Sequence, residues 1–457
     1  MERSRDRALR SLVNWLRVPS ISADPSHSAD VAASAEFCAN LLEDAGLGNI
    51  EVLPTGEAGE GGAPAVYGEW LGAGADAPTV LVYGHHDVQP VDPLEEWSSP
   101  PFEPVVSESE IRARGASDDK GQVLMQVEAA RGLLSEHGGL PINLKFLIEG
   151  EEEVGSPHFE DLLQRERERF GADLVVVSDT DMVAADIPST TLSMRGLVAF
   201  DVVVRTAASD LHSGIWGGTV PNAAVLAARL ATELHDADHR VTLPGFYDRA
   251  RELSPEECQS LAAIPFDEGK YCAQAGVTFL EGESGRSAYE RTGTRPTAEL
   301  VGIHSGYGGP GMKTIVPATA NFKVALRLVP DQRPDEIATA FRAWAASLVP
   351  PGVQLTVNAH GAVAPLSTPA DHPAVRLLSG AIARVWGKQP LFTRTGGSGP
   401  EETLARALAA PLIFLGVGLP EDNFHAPNER LDLGQLWRGV LAAGELMADL
   451  ASLPTAR

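Results

Sequence analysis

Three short apolar runs govern what this 457-residue chain can fold into: TVLVYG from Thr79, INLKFLIE from Ile142 and DLVVVS from Asp173. Each is apolar and β-branched and stops at a histidine or a carboxylate, which reads as a buried strand delivering polar groups at its end. Between the first two, KGQVLMQVEAARGLLSEHG has apolar residues at helical spacing and ends in a Gly pair suited to a C-cap. Strands alternating with helices predict an α/β fold, a mixed sheet flanked by helices, with functional residues gathered at strand ends.

A second pattern begins near Leu197. LVAFDVVVRT reads as a strand and PNAAVLAARLATELHD as a helix after the Gly217–Gly218 turn; ANFKVALRLVP and VQLTVNA are strands flanking the helix RPDEIATAFRAWAASLV. These suffice for an α+β insert of their own. PLIFLG from Pro411 and a helix from Gly434 then resume the first style. The expectation is a catalytic domain of residues 1–189 and 381–457, interrupted by a lid of residues 190–380. The Gly- and Ala-rich stretch from Gly56 is expected to be a loop or hairpin.

The chain has 36 Lys plus Arg against 62 Asp plus Glu, a formal charge of −26. Such a balance repels phosphate backbones and anionic membrane surfaces, so neither nucleic acid nor membrane is an expected partner. No stretch approaches the roughly 20 apolar residues of a bilayer span. At the N-terminus, charges interrupt every apolar run of MERSRDRALRSLVNWLRVPSIS, which reads as a surface helix rather than a signal peptide. Cys38, Cys258 and Cys272 lack CxxC spacing and suggest neither a disulfide framework nor a thiolate zinc site. A reducing, cytoplasmic location is expected.

Five segments place His, Asp or Glu at a strand end or on the following loop: GHHDVQP, RGASDDKG, EGEEEVGS, SDTD and NFHAPNE. Two histidines and three carboxylates can hold two divalent cations, and imidazole with carboxylate oxygen suits zinc, manganese or cobalt. Two such ions are balanced by three ligating carboxylates and one hydroxide, the neutrality a buried site needs. Water held between ions about 3.5–4 Å apart becomes a nucleophile, so a hydrolase follows. Taken singly, His85 or His425 is an ordinary hydrogen-bonded loop residue and EGEEE a solvated acidic run. The inference rests on their joint occurrence. No GxSxG elbow is present, and in GYGGPGMKT Met312 separates Gly311 from Lys313, which breaks the phosphate-loop pattern.

Taken in order, VPSIS, YGHHDVQP, WSSPPFEP, RGASDDKG, EGEEEVGS, DLHSG, KTIVP, LRLVP, GGSGP and HAPNE resemble the M20 family of metallopeptidases, and within it the dipeptidase branch of carnosine- and cysteinylglycine-type enzymes. The resemblance spans nearly the whole chain. It implies a zinc-peptidase-like catalytic domain with two divalent ions, Zn2+ or Mn2+. His85 and Asp179 would ligate one ion, Glu153 and His425 the other, and Asp118 would bridge them. Asp87 would orient the His85 imidazole. Glu152 would be the general base acting on a metal-bridging hydroxide; acidity alone does not separate Glu151, Glu152 and Glu153, nor Asp118 from Asp119, and the family register EGxEExGS decides. His86 and Asp181 are further candidates that a shift of register would bring in.

In the inserted domain the resemblance gives His212 the role of reaching into the partner subunit's active site to stabilise the oxyanion. It makes Arg327, Thr314, His360 and Ser398 substrate contacts, with the guanidinium gripping a terminal carboxylate. The expected activity is hydrolysis of the amide of a short peptide with a free C-terminal carboxylate, by a homodimer built through the lid. The alternatives are another M20-type amidohydrolase, such as a carboxypeptidase, an N-acyl amino acid deacylase or a desuccinylase, and a non-catalytic metal-binding protein.

Overall fold

Ten strands build the two principal sheets. In chain order, β1 (Gly48–Leu53), β2 (Ala65–Trp70), β3 (Thr79–His85), β4 (Asn143–Glu149) and β5 (Leu174–Val177) come first, and β6 (Gly196–Arg205), β7 (Thr297–Ser305), β8 (Thr319–Leu328), β9 (Gln354–Val363) and β10 (Leu412–Phe414) follow. The computed structural model describes residues 2–56 and 61–454. Two units are distinguished: Met1–Leu192 with Thr368–Thr393 and Gly399–Arg457, and Ser193–Ser367 with Arg394–Ser398.

The first unit holds a six-stranded mixed sheet in the order β1-β2-β4-β3-β5-β10. β3 runs parallel to β4 and β5, and β10 parallel to β5, while β1 and β2 are antiparallel. Parallel strands are covered on both faces, so they need apolar side chains at every position rather than at alternate ones. Every residue of β4 and β5 is accordingly buried, and all of β3 after Thr79. The helix Lys120–His137 packs its apolar side into this core and stops at Gly138, whose φ of 70° is the left-handed cap the sequence anticipates. The N-terminal helix Glu2–Leu16 buries Ala8, Leu12, Trp15 and Leu16 in the same core. The stretch from Gly56 leads into β2, which pairs with β1 as an antiparallel hairpin; its residues 57–60 lie outside the described residues.

The second unit is built on an antiparallel sheet of order β7-β8-β6-β9. Here one face only is covered, and the strands alternate. Val198, Phe200, Val202 and Val204 of β6 point into a core closed by the helices Ala223–Thr232 and Pro334–Leu348, where Phe200 stacks on Phe341 at 4.1 Å. The strand β7 was not legible in the sequence. It lies at the sheet edge, and only Ala298 of its nine residues is buried, so neither alternation nor an apolar run marks it.

Candidate metal centre

The first unit's sheet delivers its polar groups at the carboxyl ends of its parallel strands. His85 is the last residue of β3, Glu152 and Glu153 form a tight 3-10 turn (Glu152–Val154) after β4, and Asp179 follows β5 by two residues. Asp118 precedes the helix Lys120–His137, and His425 sits in the loop after β10 with φ of 59°. Residues scattered over some 340 positions thus meet at one sheet edge, the position at which α/β sheets gather ligands.

Two groups of donors result: His85, Asp118 and Asp179, and Asp118, Glu153 and His425, each with ligand atoms within 4.8 Å of one another. Asp118 belongs to both. Its Oδ1 lies 2.9 Å from His85 Nε2 and its Oδ2 2.9 Å from His425 Nε2. Asp179 Oδ2 is 3.7 Å from His85 Nε2, and Glu153 Oε2 is 3.2 Å from His425 Nε2. Burial is the largest single effect on the Asp118 carboxyl and pushes it up, but the two imidazoles together outweigh it and hold it below the usual carboxylate range. Asp118 raises the His425 imidazole first, then Glu153, together bringing it to about 10.

Polar contacts around these donors fix their directions. The ring nitrogen Nδ1 of His85 faces the backbone carbonyl of Asp87 at 3.1 Å, with the Asp87 carboxylate 3.3 Å away. Asp87 Oδ2 accepts from the Glu153 amide at 3.1 Å, so one buried acid touches residues of both groups. Gln89 donates to Glu153 Oε2 at 2.8 Å. Glu429 is fully buried and accepts from Arg114 at 2.8 Å and from the amides of Gly115, Ser117 and Asp118 at 2.9–3.1 Å. Its carboxylate therefore ties the loop of His425 to the loop of Asp118. Neither Gln89 nor Glu429 was singled out in the sequence, although both stand inside the motifs GHHDVQP and NFHAPNE; polar partners that orient a ligand or its loop are a recurrent feature of metal sites.

The neighbouring acids and histidines separate cleanly. Glu151 is engaged by His158 Nδ1 at 3.0 Å and by the Ala63 amide at 2.8 Å, whereas among the described residues nothing bonds the Glu152 carboxylate. Asp119 accepts from the His85 amide at 3.2 Å, and His86 contacts the Pro64 carbonyl at 2.8 Å. Neither these nor Asp181 enters a donor group.

Burial pushes the Asp179 carboxyl up to about 8 and the Glu152 carboxyl up to about 10, with neighbouring acids adding repulsion. Among the described residues no Lys or Arg pairs with any of the five donors. Three carboxylates and two imidazoles crowded together without a Lys or Arg countercharge among the described residues are what a pair of divalent cations neutralises, and three protein donors per ion leave positions open for water and substrate. The donor set fits divalent metals.

The remaining candidates lie in the second unit. The two-residue strand Leu211–His212 pairs with Ile315–Val316, and the Ser213 amide donates to the Thr314 carbonyl at 3.0 Å, which sets His212 and Thr314 side by side, both exposed. His212 Nδ1 accepts from the Gly214 amide. Arg327 donates to Ser398 Oγ at 3.0 Å. His360 lies 3.1 Å from Asp201, and Arg327 and His360 register against Leu197 and Ala199 of β6, so they share the uncovered sheet face.

Residues 81–449 match the profile of peptidase family M20/M25/M40. The chain is an M20 metallopeptidase. Relatives of this peptidase include the Cys-Gly metallodipeptidase dug1 of Schizosaccharomyces pombe, 29% identical over 99% of this chain and 97% of its own length. The human Beta-Ala-His dipeptidase is 27% identical over 98% of this chain and 91% of its own length. Among solved structures, the metallo-carboxypeptidase Sso-CP2 of Sulfolobus solfataricus superposes with a TM-score of 0.81 at 29% identity, covering 98% of this chain and 99% of its own. Human carnosine dipeptidase 1 gives 0.76 at 25% identity, covering 99% and 97%. The M20 chain is therefore a hydrolase acting on peptide bonds, as its motifs predict. Among its described residues no helix is long and apolar enough to cross a membrane.

Proposed function

We propose that this M20 peptidase is a dinuclear dipeptidase, and the observation that supports this above all is the Asp118 carboxylate shared by two donor groups. His85 and Asp179 would hold one ion, Glu153 and His425 the other, and Asp118 would serve both; Zn2+ and Mn2+ suit this mixture of nitrogen and oxygen. When bound, such ions polarise a substrate carbonyl and lower the pKa of water between them. Glu152, unengaged by any described residue, would take the proton of the attacking water on its carboxylate and return it to the leaving amine nitrogen. Glu153, its neighbour, is held to the donor group by Gln89 and the Asp87 contact, so adjacent acids divide ligation from proton transfer.

In the second unit Arg327, steadied by Ser398, grips the free C-terminal carboxylate, with Thr314 and His360 as further contacts. His212 serves as oxyanion donor in the partner subunit of a homodimer. The edge strand β7 supports dimerisation through this unit, since Leu300, Val301 and Ile303 are 41%, 62% and 51% exposed along an unpaired edge. The substrate is a short peptide, and a cytoplasmic site of action accords with three free cysteines.

A panel of dipeptides, tripeptides and N-acyl amino acids, tested on enzyme stripped by chelator and reloaded with Mn2+ or Zn2+, decides the activity. Metal-dependent cleavage of dipeptides is expected. Cleavage confined to longer peptides would favour a carboxypeptidase, the class of the Sulfolobus structure. Glu152→Gln should bind both ions yet lose about 10³-fold in kcat; a near-normal rate would remove Glu152 from its role.

A further inference from the structure

A cavity of about 500 Å3 in the second unit is lined by Arg327, but also by Arg195, Arg291, Arg295, Thr297 and Glu299. Arg195 immediately precedes β6, and its Nη1 donates to Thr297 Oγ1 at 3.3 Å. Thr297 opens β7 and stands opposite Arg327 in the pairing of β7 with β8. Ser398 joins the same two residues, since its hydroxyl donates to the Arg195 carbonyl at 2.5 Å and accepts from Arg327 Nη1 at 3.0 Å. Two guanidiniums thus line one cavity as neighbours.

Their charges are not answered by the protein. With 62 acids for 36 Lys plus Arg, carboxylates are not scarce in this chain. Arg295 in the same lining is paired with Glu283 at 2.7 and 2.8 Å, and that acid also meets Arg240 at 2.9 Å. Among the described residues neither Arg195 nor Arg327 forms an ion pair. Arg195 spends Nε and Nη1 on the Gly396, Arg291 and Arg295 carbonyls and on Thr297, contacts of 3.3–3.5 Å that satisfy donors without neutralising a charge. Its Nη2 has no bond to a described residue. Burial, and after it Arg327, lowers the Arg195 guanidinium to about 10, with the exposed Glu299 pulling the other way, so it remains a cation at neutral pH. Glu281, a further acid of the lining, is 66% exposed and lies 3.6 Å from His239.

Neighbouring like charges repel unless anions meet them. In the dipeptidase reading Arg327 has its anion, the α-carboxylate of the substrate's last residue, and Arg195 has none. A C-terminal Glu or Asp supplies both, because the short carbon chain of one residue holds its two carboxylates apart.

We propose that this cavity selects peptides whose C-terminal residue is acidic, with Arg327 taking the α-carboxylate and Arg195 the carboxylate of the side chain. The inference rests on the dipeptidase reading and names the substrate class within it: dipeptides ending in Glu or Asp. A neutral side chain there leaves the Arg195 charge unmet, which is how a polar site rejects an analogue.

Glycyl-glutamate and glycyl-glutamine differ in that one charge and test the assignment on Mn2+-loaded enzyme, with the thermal midpoint measured alongside. Wild-type kcat/KM should favour glycyl-glutamate by about tenfold or more. Arg195→Gln should abolish the preference, chiefly through KM because the contact is made in ground and transition states alike, and should leave glycyl-glutamine within about threefold. Arg195→Lys, which keeps a cation without the planar fork, should retain part of it. Glu299→Gln removes a competing acid from an exposed strand position and should raise it. Should Arg195→Gln fail to fold, the wild-type ratio and Glu299→Gln decide alone. Equal loss for both peptides in Arg195→Gln, which would make Arg195 a brace for the carbonyls it meets, or a lowered preference in Glu299→Gln would overturn the proposal. If wild-type enzyme cleaves no dipeptide, the dipeptidase reading falls and takes this assignment with it. If it cleaves glycyl-glutamine as well as glycyl-glutamate, only the role of Arg195 falls.

Discussion

Two metal donors of the first unit, His85 and Asp118, and two substrate-facing candidates of the second, His212 and Thr314, are held in opposite ways, whereas the donor His425 is itself exposed. His85 and Asp118 are buried, and each is fixed by two or more contacts to groups that are themselves buried, among them Asp87 and Glu429. His212 and Thr314 are exposed, with His212 steadied by one backbone amide of its own turn. Rigid placement is what metal ligation demands, since donor positions must be set before the ion arrives. A group that meets a substrate can instead wait in solvent until assembly or binding orders it.

The contrast predicts different failures for substitutions in the two units. The largest effect should come from Asp118→Asn, which removes a charge from both donor groups at once; activity should vanish and metal content should fall by more than one ion per chain. Loss of a single ion would mean that Asp118 is not shared. His212→Ala should come next, lowering kcat by about 10²–10³-fold with metal content unchanged, as expected for a donor at a developing oxyanion. A fall in bound metal would place His212 within the centre instead.

Smaller effects sharpen the comparison. Glu429→Gln keeps an acceptor for the Ser117 and Asp118 amides but replaces the oxygen that meets the Gly115 amide and Arg114 with a donor, and should weaken metal affinity about 10- to 100-fold, measurable by competition with a chelator. Glu429→Ala should in addition destabilise the fold by about 3 kcal/mol in denaturant titration, since it strands a buried guanidinium. Unaltered affinity in both would show that the Asp118 loop holds its place unaided. Smallest in catalytic terms, Val301→Asp on the β7 edge should shift the sedimentation of the protein from dimer to monomer while leaving the thermal midpoint of the first unit within a few degrees. A dimer that persists would exclude this edge from the interface.

Much of this organisation is written locally. TVLVYG, INLKFLIE and DLVVVS become parallel strands because runs of β-branched and apolar residues bounded by polar ends have few other places to go. Strand ends could then be inspected for donors, and the same motifs carried the family. Illegible features fall into two kinds. The strand β7 and the helices Pro255–Ala263 and Glu268–Ala275 bury little, so no periodicity betrays them, although Ser254 and Asp267 do cap those helices. The supporting contacts were hidden for a different reason. Glu429 reaches its partners across more than 300 residues and Gln89 reaches Glu153 across 64, distances at which only folding reveals who meets whom.

The sharing of one carboxylate by two cations can be tested by anomalous scattering from crystals of the Glu152→Gln enzyme loaded with Mn2+ or Zn2+. Two peaks about 3.5–4 Å apart are predicted, both against Asp118, with His85 and Asp179 beside one and Glu153 and His425 beside the other. A single peak, or two peaks of which only one touches Asp118, would contradict it.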